Sequence, residues 1–317
     1  MKHYTFADYA TQTYLALVGL LILFFHNGTV PHWPVLFGAH AAALVLVHWL
    51  IWAYARWGSG RGEPVARGLA LRALDFIRHF YPVVLYTPFF METGSLNRMF
   101  FRDYLDPTFA DWEQQLFGCQ PSVLFMERLP WLVVSELFYA SYFSYYVMIA
   151  GIGIALFVRA RRQFYHYVSV VSFLFYVCYV IYIILPVIGS RAFFRQVEGY
   201  SLPAATQALA TTDAYPAAVQ AGPFFQLMKW VYRVFEAPGA AFPSSHVAVA
   251  ICTVFFSFRY LRPIRYPHLV VATLLCLSTV YCRYHYVVDV IAGVVTAALV
   301  IPLGNWLFFK FEDRDRD

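Results

Sequence analysis

Apolar runs about as long as a bilayer is thick recur along most of this sequence. They are Thr13–Phe25, Val35–Trp57, Leu69–Phe90, Trp131–Val158, Phe164–Leu185, Ser244–Phe258, His268–Tyr281 and Tyr286–Phe309. Runs of roughly 20 apolar residues suit helical membrane spans. Only helices and closed barrels satisfy the backbone inside lipid, and the runs are too long and too uniformly apolar for barrel strands. Composition agrees: 61% of the residues are hydrophobic and 13% charged, about half the charged share of a soluble domain. The expected fold is therefore all-α, a polytopic helical membrane protein with about eight transmembrane helices and interfacial helices between some of them.

Charge in the short breaks sets the expected orientation, because cytoplasmic loops collect Lys and Arg. The segments holding Arg56, Arg61, Arg67 and Arg72, then Arg159, Arg161 and Arg162, then Arg259, Arg262 and Arg265, read as cytoplasmic. His26–Pro34 has no Lys or Arg and reads as external. Both termini are then expected in the cytoplasm. Leu69–Phe90 carries Arg72, Asp75, Arg78 and His79, so it is a span with a polar first half or a helix lying in the interface; a span keeps the later loops in register with their charges. Residues 91–130 are mixed and aromatic and suggest surface helices whose acids, among them Asp106 and Glu113, form a solvated face. A long external loop, 192–238, includes an interfacial helix over Phe224–Phe235.

One integral membrane domain is expected over 1–317, with N-terminal spans in 1–90, the interfacial segment in 91–130 and core spans in 131–310. The net charge of +5 serves topology and gives no reason to expect nucleic acid. Five cysteines are scattered without a CxxC pair, which suggests neither a zinc site nor a disulfide framework. Nothing in the sequence sets an oligomeric state.

Two short segments at the openings of apolar runs hold most of the chemistry: Gly239–His246 and Arg283–Asp289. Pro243-Ser244-Ser245-His246 opens a helix, where free amides and the helix dipole attract phosphate and serine hydroxyls add donors. A Pro-Ser-Ser helix cap with a nearby histidine is also an ordinary structural feature. His285 and Asp289 are spaced i, i+4 and share a helix face. A carboxylate on one imidazole nitrogen leaves the other free as a nucleophile, although such a pair is also a plain structural ion pair or half a metal site. The loop charges bring Arg191, His246, His285 and Asp289 to the outer face.

Together these residues supply a phosphohistidine cycle. His285 attacks phosphorus, Asp289 orients it, and His246 protonates the leaving oxygen and later activates the acceptor hydroxyl. Arg191, Arg283, Ser244 and Ser245 are the candidates for binding the phosphate oxygens. The cycle asks for no metal and no cofactor. Its expected partners are a phospholipid or lipid-phosphate substrate and the surrounding membrane lipids.

The two segments resemble the second and third signature motifs, PSGH and SRxxxxxHxxxD, of the type 2 phosphatidic acid phosphatase superfamily. Phe242-Pro243-Ser244-Ser245-His246 and His285-Tyr286-Val287-Val288-Asp289 carry the match. The resemblance implies a six-helix phosphatase-like core, with His285 as nucleophile and His246 as acid. Leu116-Phe117-Gly118 with Pro121, and Leu185-Pro186-Val187-Ile188-Gly189-Ser190-Arg191, are similar to elements of the branch holding inositol phosphorylceramide synthases. That branch transfers a head group to an acceptor lipid. The superfamily's first motif, KxxxxxxRP, has no counterpart; Ser278-Thr279 stand where the third motif has SR, and Arg283 lies two residues before His285. The expectation is a metal-independent lipid phosphotransferase or phosphatase. The alternatives are a simple lipid-phosphate or polyprenyl-phosphate phosphatase and a non-enzymatic lipid carrier or scramblase. A haloperoxidase-like site is disfavoured by the spans.

Overall fold

The architecture is seen in a computed structural model that describes residues 4–58, 68–196, 215–235 and 237–314. Arg61 and Arg67 of the basic linker, the alanine-rich stretch 197–214 and the last three residues lie outside them. The described residues are almost entirely helical, and their β contacts amount to one isolated bridge, Val187 to Ala240.

In chain order the helices are α1 (Phe6–Phe25), α2 (Trp33–Ala53, continued by a π-helical turn at Tyr54–Gly58), α3 (Leu69–Leu96), α4 (Asp106–Phe117), α5 (Pro121–Arg128) and α6 (Leu132–Arg159). Then come α7 (Arg161–Ile184), α8 (Ser190–Gln196), a single helical turn at Ala217–Gln220, α9 (Pro223–Phe235), α10 (Ser245–Tyr260), α11 (Arg265–Tyr281) and α12 (Val287–Arg314). By length and composition, six of them are able to cross a membrane: α1, α2 with its π turn, α6, α7, α11 with the turn before it, and α12. The expected spans missing from those six are α3, whose first half is polar, and α10, which has 16 residues.

α7 is the central post. It packs against α1, α3, α6, α10 and α12, and 72% of its most apolar window is buried, against 17% for α2. Apolar residues on all sides of a helix suit such a position. α2 instead turns Val35, Val45, Leu46 and Trp49 outward as a lipid-facing surface. α3 lies along α7, and of its polar first half Arg78 and His79 are buried while Arg72 is exposed. Arg78 pairs with Asp8 at 2.5 Å, and the Tyr81 hydroxyl donates to the same carboxylate at 2.6 Å. These partners account for polar residues inside the bundle.

Two glycines bring the site segments together. Gly293 in α12 faces the start of α10 so closely that a Cβ would lie 2.6 Å from the Ser244 carbonyl oxygen. Gly189 turns the chain from α7 into α8 with φ +87°, and a Cβ there would meet the Tyr284 carbonyl oxygen at 2.6 Å. Only glycine permits both approaches.

Of the acids on α4 only Asp111 is exposed; Asp106 and Glu113 do not lie on a solvated face. Asp106 and Glu113 are fully buried with Phe109 and Ala110 on one stripe of that helix. Asp106 accepts hydrogen bonds from the amides of Ile188 (2.8 Å) and Gly189 (2.9 Å) and from the Tyr286 hydroxyl (3.1 Å). Glu113 accepts from the amides of Val287 (2.5 Å) and Val288 (3.3 Å), capping the start of α12. A helix start leaves amides without partners, and a carboxylate from another helix is a favourable acceptor for them.

Candidate active site

His246 sits in the first turn of α10, behind the Ser244 cap, whose hydroxyl accepts from the Val247 amide at 3.4 Å. The Ser244 amide itself donates to the Asp289 carbonyl at 3.0 Å, tying the start of α10 to the start of α12. Ser245 is held through its amide by the Tyr182 hydroxyl at 3.1 Å. His285 precedes α12 in a tight turn, with its amide and that of Tyr284 both donating to the Thr279 carbonyl at 3.0 Å.

These two turns bring the histidines face to face. His285 Nε2 lies 3.4 Å from His246 Nδ1, and the ring centroids are 5.5 Å apart. Behind His285, its Nδ1 is 3.3 Å from Asp289 Oδ2, an oxygen that also accepts from the Tyr286 amide at 2.9 Å. Asp289 thus favours a proton on Nδ1 and leaves Nε2 with its lone pair. Burial pushes His285 down to about 4, against a hydrogen bond with the Ala241 backbone, so its imidazole is neutral near pH 7.

Behind His246, Nε2 is 3.0 Å from the Tyr142 hydroxyl, which is hydrogen-bonded in turn to the Tyr232 hydroxyl of α9. The Tyr145 ring packs against His246 at 4.4 Å. Tyr232 stacks on Tyr284 at 4.2 Å, and the Arg191 guanidinium lies 4.8 Å from the Tyr232 ring centre. Nothing in the motif spacing marks Tyr142 or Tyr232, two of 24 tyrosines; only the fold places them beside the acid candidate.

A cavity of about 760 Å³ reaches this point, and Arg191, Ser245, His246 and His285 are among its walls. Ser244 and Arg283 are not in that lining. Ser244 is occupied as the helix cap. Arg283, at φ +63°, turns towards α5, where its guanidinium pairs with Glu127 and reaches the Val123 carbonyl at 3.4 Å, while the Ser190 hydroxyl donates to its carbonyl at 3.1 Å. Of the two candidate phosphate-binding arginines, the structure brings Arg191 to the cavity. Among the described residues no cluster of three or more His, Cys, Asp or Glu side chains is arranged to hold a metal ion.

The fold is that of an all-helical protein with six helices long and apolar enough to cross a membrane, and His246 and His285 meet at one end of that bundle. The chain belongs to the PAP2 superfamily, whose family model matches residues 108–303. The match runs from α4 into α12 and leaves α1 to α3 outside it. Comparison with curated proteins and with solved structures returns no match. Membership supports a lipid function of the phosphatase or phosphotransferase type.

Proposed function

We propose that this protein is a membrane lipid phosphotransferase or phosphatase that works through a phosphohistidine at His285. The observation that carries the proposal is the line Asp289, His285, His246, with 3.3 Å between the first pair and 3.4 Å between the histidine nitrogens. In the first step the Nε2 lone pair of His285 forms the N–P bond. The P–O bond to the leaving group breaks, and its oxygen takes the proton from His246 Nδ1. In the second step an acceptor hydroxyl gives its proton to His246 Nδ1, its oxygen attacks phosphorus and the N–P bond breaks. Asp289 stabilises the cationic imidazole during both steps, and Arg191 with the first turn of α10 binds the non-bridging oxygens.

Lipid acceptors are favoured over water as the productive partner, in keeping with the similarity to the inositol phosphorylceramide synthase branch at Leu116–Pro121 and Leu185–Arg191. In that form the group carried on His285 is a phospho-head-group and the product a second lipid. A simple lipid-phosphate phosphatase uses the same residues with water as acceptor. The proposed unit is a single membrane domain whose cycle needs no metal.

The test is turnover of labelled lipid phosphates and phospholipids by the purified protein in detergent, with products identified by mass spectrometry. His285→Ala is expected to abolish phosphate release and head-group transfer, and an acid-labile phospho-enzyme is expected in the parent and absent from this variant. Full activity in His285→Ala, or its removal by a chelator, would overturn the mechanism.

A further inference from the structure

The cavity that begins at the histidines continues far beyond the chemistry. On α7 it is lined by Tyr179, Phe175, Val171, Val168 and Phe164, one stripe at helical spacing. From Tyr179 to Phe164 that stripe spans about 22 Å at ~1.5 Å per residue. The facing walls come from α3 (Phe80, Val83, Tyr86) and α6 (Ile149, Ala150, Gly153). α7 packs against both α3 and α6. At its far end the cavity is lined by Phe80 and Phe164, whose rings pack with each other and with Phe157, ring centres 4.9 to 5.1 Å apart.

Three tyrosine hydroxyls along this channel are engaged by the protein. Tyr86 bonds to Ser172 at 2.8 Å, Tyr167 donates to the Ile149 carbonyl at 2.9 Å and Tyr179 to the Tyr86 carbonyl at 3.2 Å. Along the α7 stripe the occupant meets mainly ring faces and aliphatic groups. Its polar end meets His246, His285 and Arg191, so the cavity has the chemistry of an amphiphile with its charge at one end.

Resting on the function proposed above, we infer that this channel holds one hydrocarbon chain of the lipid whose phosphorus is at His285, and that the Phe80–Phe157–Phe164 floor measures its length. A stripe of ~22 Å accommodates an extended chain of about sixteen carbons. Phe80, Val83 and Tyr86 of α3 precede the family-matched residues 108–303, whereas Phe157 and Phe164 lie within them, so the floor joins one residue outside the matched core to two inside it. A methylene left in water instead of the channel lowers affinity about fourfold, at ~0.8 kcal/mol per buried CH₂.

Two measurements test this. In the first, a sixteen-carbon alkyl phosphate with a photoreactive diazirine at the chain end is irradiated with the full-length protein and the labelled peptides are sequenced. Label at Phe80, Phe157 or Phe164 is expected, with His285→Ala giving the same pattern; label spread over the lipid-facing surface overturns the inference. The second measures kcat/KM for alkyl phosphates of eight, sixteen and twenty carbons. Gly153→Leu is the plug, because Gly153 lines the cavity and a Cβ there meets the Tyr167 ring at 3.4 Å, an ordinary van der Waals contact.

The plug is expected to lower the sixteen-carbon value at least tenfold and the eight-carbon value less than twofold, while Phe80→Ala raises the twenty-carbon value. Equal losses at every length overturn the channel and leave the proposed function standing. Floor labelling without turnover of any alkyl phosphate does the reverse.

Discussion

Tyr142 is the residue whose role is most open to direct test. Its hydroxyl is 3.0 Å from His246 Nε2, on the side of the ring away from His285. If it accepts a proton held on Nε2, Nδ1 becomes the working nitrogen, facing the place where the leaving oxygen departs. Tyr142 is then a positioning residue, and Tyr142→Phe weakens acid catalysis without touching the nucleophile. We expect kcat on alkyl esters to fall about tenfold, a fraction of the 10²–10⁴ that acid–base catalysis supplies, with KM nearly unchanged. A p-nitrophenyl ester, whose leaving group departs without a proton, should lose less than twofold. Equal losses on both substrates would mean that Tyr142 serves only packing. That His246, His285 and Asp289 meet was legible in the sequence, because short-range spacing at helix starts sets their placement. Tyr142 was not, because its partner lies 104 positions away and tyrosine is common throughout the chain.

At the level of elements, the site depends on α4 as a clamp. Glu113 caps α12 just ahead of Asp289, and Asp106 holds the turn before α8 that carries Arg191. Acids on an amphipathic segment look alike whether they face water or another helix's amides, and these amides lie 82 to 175 residues away. A signal was present nonetheless: Asp106, Phe109, Ala110 and Glu113 follow the i, i+3, i+4, i+7 pattern, so the acids share the apolar stripe. Burial pushes both carboxyls up to about 7, opposed by the amides they bind. A carboxyl with a pKa higher in the folded than in the unfolded state contributes stability that is complete below about 4 and is lost as pH rises through about 7. The protein should therefore melt at a lower temperature at pH 8 than at pH 5, other titrating groups aside. Glu113→Gln keeps an acceptor for the α12 amides and removes one titration, so the gap should narrow by roughly 5 °C. Thermal unfolding in detergent measures it, and an unchanged gap would remove Glu113 from the account. Glu113→Ala should cost about 1–3 kcal/mol at either pH, since it leaves two amides without their acceptor.

For the whole molecule, the question is which side of the membrane the histidines face. The broad helical architecture followed from the apolar runs, whereas the cavity between α3, α6 and α7 depended on packing that no run encodes. Arg159, Arg161, Arg162, Arg259, Arg262 and Arg265 collect around the end of α6, the start of α7 and the α10–α11 turn. Arg162 pairs there with Glu312 of α12 at 2.7 Å, and Arg259 lies over Phe309. The start of α10, the turn before α12 and the Tyr232 face of α9 lie at the other ends of these same helices. Basic residues favour the cytoplasmic side, and on that ground we propose that the candidate site faces outward. Lys229 on α9 and Arg262 in the turn are both exposed and serve as reporters. With the five native cysteines replaced, Lys229→Cys should react with a membrane-impermeant maleimide in intact cells, and Arg262→Cys only after permeabilisation. The opposite pattern would turn the site to the cytoplasm, require the lipid phosphate to be drawn from the inner leaflet, and overturn the orientation inferred from the arginines.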